Sequence, residues 1–502
     1  MGAAMSDLRH YLRRLQLAVY CLLALFCTLT ACVPATLHFS GASVQAETIA
    51  QLTATTCRFP LSDERPVDCF DLEVPEDYGD IQGRRLRLHV ARVHSSSETP
   101  APDPLIILYG GPGAYTLDRI EKTIDRFAGV LHTRDIILYD QRGIGYSQPS
   151  LNCPEVDDVD VTAIDEQLDD VQALEQRLAA YRSCRDRLEM SGIDLQAYAA
   201  GALAADLASL RQVLGCEEWN LFGVSYGARQ ALMIMRDYPQ GLRSVILDSV
   251  YPVDIDLAQE TAVTSAYALD MLFAANEVAH PEFEQAFFSL ANELDASPIH
   301  VPALIPQRWS YPYQRFNGHD FLRLMIGIIG RWPQSFPHMP GFIEDIADGN
   351  YVDLMELVKP SVGDQLFSEG MNLSVICQEI DPSIQLPKDD AGLPIHPRVY
   401  DFARVDVAQK MALCRLWLGA EWEQRAQEPV RSDIPALVLR GEQDVVIPAS
   451  WDTRAEKDLS NSFHLLFPQT GHGVMNSNSC ARKMVAEFLL DPTIVPAAGC
   501  WN

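Results

Sequence analysis

The chain has 502 residues, 48% of them hydrophobic, and its 68 acidic side chains outnumber 39 basic ones to leave a formal net charge of −29. That length is ample for a large core and a second subdomain. Such acidity argues against nucleic acid or anionic lipid as partners, and fits either a salty exterior or attraction to cationic peptides.

The N-terminus carries Arg9, Arg13 and Arg14, then the apolar run LQLAVYCLLALF, then LTAC. A basic head, an apolar core and small residues before a cleavage point are the parts of a signal peptide, and the run is short for a membrane span. Leu29-Thr30-Ala31-Cys32 resembles the bacterial lipobox. It predicts a lipoprotein signal peptide over 1–31, lipidation at Cys32, a membrane anchor and a tether over 32–56. Secretion after an ordinary cut near Ala46 is the alternative. The cysteines beyond Cys32 show no C-x-x-C spacing, so no metal is expected, and their number suits an oxidising compartment.

Apolar strand patterns recur near 69–75, 84–93, 104–109, 135–139, 219–222, 244–250, 436–440 and 463–467, with helical periodicity between several of them. This alternation predicts an α/β protein whose mostly parallel sheet is covered on both faces. The acidic stretch 155–190 reads as a helical insertion within 151–198, and ALAADLASLRQVLG as the helix leading into the strand at 219. Residues 251–430 are too many for a loop and predict a mainly helical cap subdomain between core segments 57–250 and 431–502. The aromatic stretches RWSYPYQRF and RWPQSFPHMPGF line its pocket or simply pack its helices.

The chemistry gathers around Ser225. In EEWNLFGVSYGARQ, a buried strand meets a helix through G-x-S-x-G. That sequence makes a sharp turn in which side chains at Gly223 or Gly227 would clash, and it lifts the Ser hydroxyl clear of the sheet. A triad on such a turn needs an acid after a late strand and a histidine after the last one. IPALVLRGEQDVVIP delivers Asp444, and SFHLLFPQTGHGVM delivers His472. Asp248, one strand earlier, is the rival acid, with loop capping as its plainer role. DPLIILYGGPGAY runs a strand into glycines that let a backbone approach substrate closely. It offers the Gly111 amide as one oxyanion donor, with Tyr226 as the other. Asp140 and Arg142, in DQRGIGYS, read as braces for these loops.

GGPG, DQRGIGYS, GVSYG, GEQD and TGHG occur in this order, and the chain resembles the prolyl iminopeptidase branch of the α/β-hydrolase fold. It is more similar still to the secreted tripeptidyl aminopeptidase-like members, through VDCFDLEVPEDYGD, the cap segment CQEI and the cysteines of the C-terminal region. The resemblance implies a serine exopeptidase acting on peptides from a free N-terminus, without metal or other cofactor. Ser225 would be nucleophile, His472 general base then acid, and Asp444 its orienter. It also implies the pairs Cys57–Cys69, Cys153–Cys184, Cys377–Cys414 and Cys480–Cys500, with Cys216 left as a buried thiol. YGGPG departs from the iminopeptidase pattern, which has His before the glycines. A free N-terminus needs a carboxylate to receive its ammonium, and Glu379 in CQEI is the residue chosen for it. A carboxylesterase with the same triad is the alternative, and a non-catalytic binding protein on this scaffold is the third reading.

Overall fold

The computed structural model describes residues 49–500 except for short stretches, of which 303–312, 359–365 and 420–426 are the longest. The expected signal peptide and the expected lipidation site Cys32 lie outside the described residues.

Eight of the nine strands in the main sheet fall where apolar alternation places them. They are β2 (Val67–Pro75), β3 (Arg85–Val93), β4 (Ala101–Leu108), β5 (Arg134–Tyr139), β6 (Trp219–Val224), β7 (Leu242–Asp248), β12 (Ala436–Gly441) and β13 (Ser462–Phe467). The ninth, β1 (Gln51–Thr55), pairs antiparallel with β2 at the sheet edge. Residues 51–55 are therefore sheet and not tether, which corrects the 32–56 boundary. QLTAT is mostly exposed, so its pattern carries no strand signal.

The sheet order is β1-β2-β3-β5-β4-β6-β7-β12-β13. β1, β2, β3 and β5 pair antiparallel in succession, and every pairing from β5 onward is parallel. Strand side chains alternate between two cores. Ile106, Leu108, Leu221, Val245 and Val438 face the helices Ala200–Leu214 and Tyr226–Asp237. Leu105, Ile107, Phe222, Ile246 and Leu437 face the helices Ile120–Arg126 and Ser479–Leu490. Burial on both faces explains why these strands read as continuous apolar runs.

Between β7 and β12 lies the cap. It holds helices Leu257–Asn276, Phe283–Ala296, Gly318–Arg331, Met339–Ala347, Val352–Leu357, Glu369–Glu379 and Pro397–Trp417. It also holds two small hairpins, β8 (Ile299–Pro302) with β9 (Tyr313–Phe316), and β10 (Asp389–Asp390) with β11 (Leu393–Pro394). Phe283, Phe287, Phe321, Met325 and Ile329 give it a core of its own. Met371, Val375 and Cys377 of helix Glu369–Glu379 instead join the main core, as do Ala258 and Val263 of Leu257–Asn276 and Cys414 and Trp417 of Pro397–Trp417, and they pin one side of the cap to it. The longest described helix of the insertion is Asp170–Met190, started by a capping box at Asp169 and Gln172.

All four expected cysteine pairs are disulfides. Cys216 is free but only half-buried, so it is not the buried thiol expected.

Candidate active site

β6 ends at Val224 and the helix Tyr226–Asp237 begins at once. Ser225, between them, sits at φ 59°, ψ −125°, a strained backbone for a residue with a side chain. Only glycine fits on either side of it. A Cβ on Gly223 would overlap the Gly227 carbonyl, and one on Gly227 would overlap the Leu108 carbonyl of β4.

His472 follows β13, and Asp444 follows β12. His472 Nδ1 lies 3.0 Å from Asp444 Oδ2 and 3.1 Å from Oδ1. Asp444 Oδ1 also accepts from the Val446 and Ile447 amides at 3.0 Å. Burial alone would raise this carboxyl, but His472 and those hydrogen bonds outweigh it and hold it below its ordinary value. Burial likewise pulls the imidazole down, and Asp444 outweighs that, so His472 ends above its ordinary value. His472 keeps 24% of its side chain exposed while protein crowds it closely, as at the floor of a cleft. The next residue, Gly473, stands where a Cβ would lie 3.6 Å from Val224 Cγ2. The histidine loop thus rests against the residue before Ser225.

The glycine loop after β4 closes on the same turn. A Cβ on Gly110 would come within 2.9 Å of Ser225 Cβ and 3.2 Å of the Tyr226 amide. Gly111 takes φ 120° and Gly113 φ 106°, backbone that side chains rarely adopt. Helix Glu369–Glu379 and its lead-in hold the loop from above. The Ser368 amide donates to the Gly113 carbonyl at 2.9 Å, and Asn372 Nδ2 to the Pro112 carbonyl at 2.9 Å. Asp140 holds it from behind, accepting from the Thr116 and Leu117 amides at 2.9 and 3.1 Å and from Tyr146 at 2.8 Å. Burial raises this carboxyl to about 6 despite those bonds. Arg142 braces something else. It pairs with Asp206 at 2.6 Å and donates to the carbonyls of Pro75, Glu76 and Ala197. It therefore secures β2 to the helix before the elbow strand, not the active-site loops.

Glu379 has a different setting from the one expected. It is fully buried at the end of its helix, where Oε2 accepts from Arg229 Nε at 2.9 Å and Oε1 from the Tyr226 hydroxyl. Its charge is already matched by a guanidinium that also bonds the Pro252 and Ile255 carbonyls. The placement corrects the expectation of a carboxylate open to a substrate ammonium, since a second cation would have to displace a buried one.

Three residues escaped the sequence. Arg229 lies one turn beyond Ser225 on a buried helix, and a charge in that apolar stretch was itself the signal of a buried acid partner. Ser249 takes φ 53° beside the histidine loop. Glu260, in the first turn of Leu257–Asn276, stands within electrostatic range of His472, Arg229 and Lys410. Nothing in its own neighbourhood of the sequence marks it.

Residues 103–278 match the family model described as the alpha/beta hydrolase fold, and residues 400–500 match that described as TAP-like protein. Serine protease Hip1 of Mycobacterium tuberculosis is 22% identical over 462 residues, covering 86% of both chains. Tripeptidyl aminopeptidase of Streptomyces lividans is 28% identical over 199 residues, 37% of this chain and 36% of that one. Among solved structures, the proline iminopeptidase-related protein of Thermus thermophilus has 16% identity and a TM-score of 0.38, covering 85% of this chain and 98% of that one.

Proposed function

The chain belongs to the α/β hydrolases, with a TAP-like C-terminal region, and we propose that it is a serine exopeptidase releasing residues from a free peptide N-terminus. The observation that carries this reading is the hydrogen-bonded His472–Asp444 pair beside the Ser225 elbow. It occurs in a chain similar over 86% of both lengths to a protein named serine protease.

In this reading Ser225 Oγ attacks the scissile carbonyl while His472 takes its proton at Nε2. Asp444, holding Nδ1–H, fixes the tautomer and steadies the imidazolium that forms. The Gly111 and Tyr226 amides receive the oxyanion, and the strained turn keeps the Tyr226 amide aimed without reorganisation. His472 then returns the proton to the leaving amine. Water, activated by the same imidazole, releases the acyl group. The substrate ammonium goes to Glu260, the partly buried cap carboxylate in electrostatic range of His472, because Glu379 is committed to Arg229.

Four disulfides suit an exported protein. Anchoring through a lipid on Cys32 is part of this proposal. No described helix is long and apolar enough to cross a membrane.

The test is hydrolysis of a free-amine prolyl amide, a free-amine tripeptidyl amide, their N-acetylated forms and a short p-nitrophenyl ester, with Ser225→Ala alongside. Cleavage of the free-amine amides, lost on acetylation and in Ser225→Ala, is expected. Ester cleavage alone, indifferent to acetylation, would replace this reading with a carboxylesterase.

A further inference from the structure

We propose that Asp248 and Ser249 are positioning residues that clamp the histidine loop to the nucleophile elbow and so set the Ser225–His472 geometry. The inference rests on the triad reading above, and not on the exopeptidase specificity.

Three consecutive amides follow His472, and these two side chains take all of them. Ser249 Oγ accepts from Gly473 at 2.9 Å, Asp248 Oδ1 from Val474 at 2.7 Å, and Asp248 Oδ2 from Met475 at 2.9 Å. The backbone of the same pair reaches the other two members of the triad. The Ser225 amide donates to the Asp248 carbonyl at 3.0 Å. The Ser249 amide donates to Leu439 at 2.9 Å, in the strand that leads to Asp444. Two adjacent residues at the end of β7 therefore touch the chain at the nucleophile, at the base and on the way to the acid.

Capping a four-residue helix, Val474–Ser477, needs less than this. Asp248 and Ser249 are both inaccessible to solvent, and Ser249 holds φ 53°, a backbone that residues with side chains rarely adopt. That backbone turns its hydroxyl toward Gly473. The arrangement also decides between the two acids. Both Asp248 oxygens are filled by amides, whereas Asp444 faces His472 Nδ1 directly. Asp248 is consequently not the orienter of the imidazole, but it fixes the loop from which the imidazole hangs. A displacement of about 1 Å between reacting groups is worth on the order of 100-fold in rate, so a clamp on this loop bears directly on kcat. The charged groups facing His472 are Asp444, Asp248 and Glu260, and loss of the Asp248 charge leaves the imidazole easier to deprotonate.

The experiment compares Asp248→Asn, Ser249→Ala and Ser225→Ala in the whole processed chain. The readouts are p-nitrophenyl ester hydrolysis against pH, the rate of fluorophosphonate labelling, and thermal unfolding. Asp248→Asn and Ser249→Ala are expected to lower kcat about 10- to 100-fold with KM within about twofold. Labelling should slow in parallel, and Asp248→Asn should move the acid limb of the profile to lower pH. Should Asp248→Asn fail to fold, Ser249→Ala decides alone; it removes the hydroxyl that accepts from Gly473, donates to Asp248 Oδ1 at 3.4 Å and hydrogen-bonds Asp444. A drop in melting temperature with unchanged kcat, labelling rate and pH profile would overturn the inference. Activity surviving in Ser225→Ala would instead bring down the triad reading beneath it.

Discussion

Arg229 Nε donates to Glu379 Oε2 at 2.9 Å, and neither side chain reaches solvent. The pair joins the elbow helix to the cap helix Glu369–Glu379, and the Tyr226 hydroxyl completes it. Glu379→Gln leaves a buried guanidinium without its counter-charge, which typically costs about 3–5 kcal/mol. Urea unfolding should register a loss of that order. A Glu379→Gln protein of unchanged stability, with only a raised KM for free amines, would return Glu379 to the substrate-binding role.

The glycines around Ser225 should fail in different ways. At Gly110 an added methyl meets Ser225 Cβ at 2.9 Å and the Val224 carbonyl at 3.0 Å, so small shifts of the loop accommodate it. Gly110→Ala is expected to fold and to lose about 100- to 1,000-fold in kcat, the scale of a displaced oxyanion donor. At Gly227 the methyl drives into the Leu108 carbonyl of the neighbouring strand. That variant should not accumulate as folded protein. Circular dichroism beside kcat separates the two, and normal turnover by Gly110→Ala would move the donor loop elsewhere.

In the proposed mechanism His472 sets the pH profile. Burial lowers its pKa, Asp444 more than reverses that, and the folded value lies above 6.5. A general base must be neutral, so kcat/KM should fall as pH drops through that raised value. The imidazolium–Asp444 pair contributes stability below the unfolded pKa, and that contribution disappears as pH rises through the folded one. In Asp444→Asn the limb should move down and kcat fall about 10,000-fold. An unshifted limb would mean that another group sets it.

Cys377–Cys414 ties Glu369–Glu379 to Pro397–Trp417 across 37 residues. A loop of that length corresponds to about 4 kcal/mol of chain entropy. Replacing both cysteines with alanine should lower the unfolding midpoint accordingly. No change would mean that packing of the two helices suffices.

What the sequence made legible was what repeats along it. Leu105 to Leu108 alternate between two buried faces, and eight strands of the sheet announce themselves that way. The elbow and the acid–histidine order are local strings placed after strands, so Ser225, Asp444 and His472 could be named before their geometry was known. β1 was missed because its exposed residues carry no alternation, and β8 and β9 because four residues are too few to show a period. Glu379 was misread for a further reason. Its partner lies 150 positions earlier, and nothing in CQEI discloses that a guanidinium waits opposite.

Glu260 offers the sharpest division between the exopeptidase and the esterase. It occupies the first turn of the cap helix Leu257–Asn276 and is partly buried. Burial raises its carboxyl above the ordinary value, with Lys410 and Arg229 opposing, so it ionises later than a solvated glutamate as pH rises. A substrate ammonium placed beside it gains a charge-assisted hydrogen bond of about 1.5–3 kcal/mol. Glu260→Gln should therefore raise KM for free-amine amides about 10- to 100-fold while ester hydrolysis stays nearly unchanged. In the unmutated protein, KM for the same amides should climb on acidification, as the carboxyl takes up its proton and loses its hold on the ammonium. Equal effects of Glu260→Gln on amide and ester would remove Glu260 from amine recognition, and a protein that never distinguishes free from acetylated amides would remove the need for any such carboxylate.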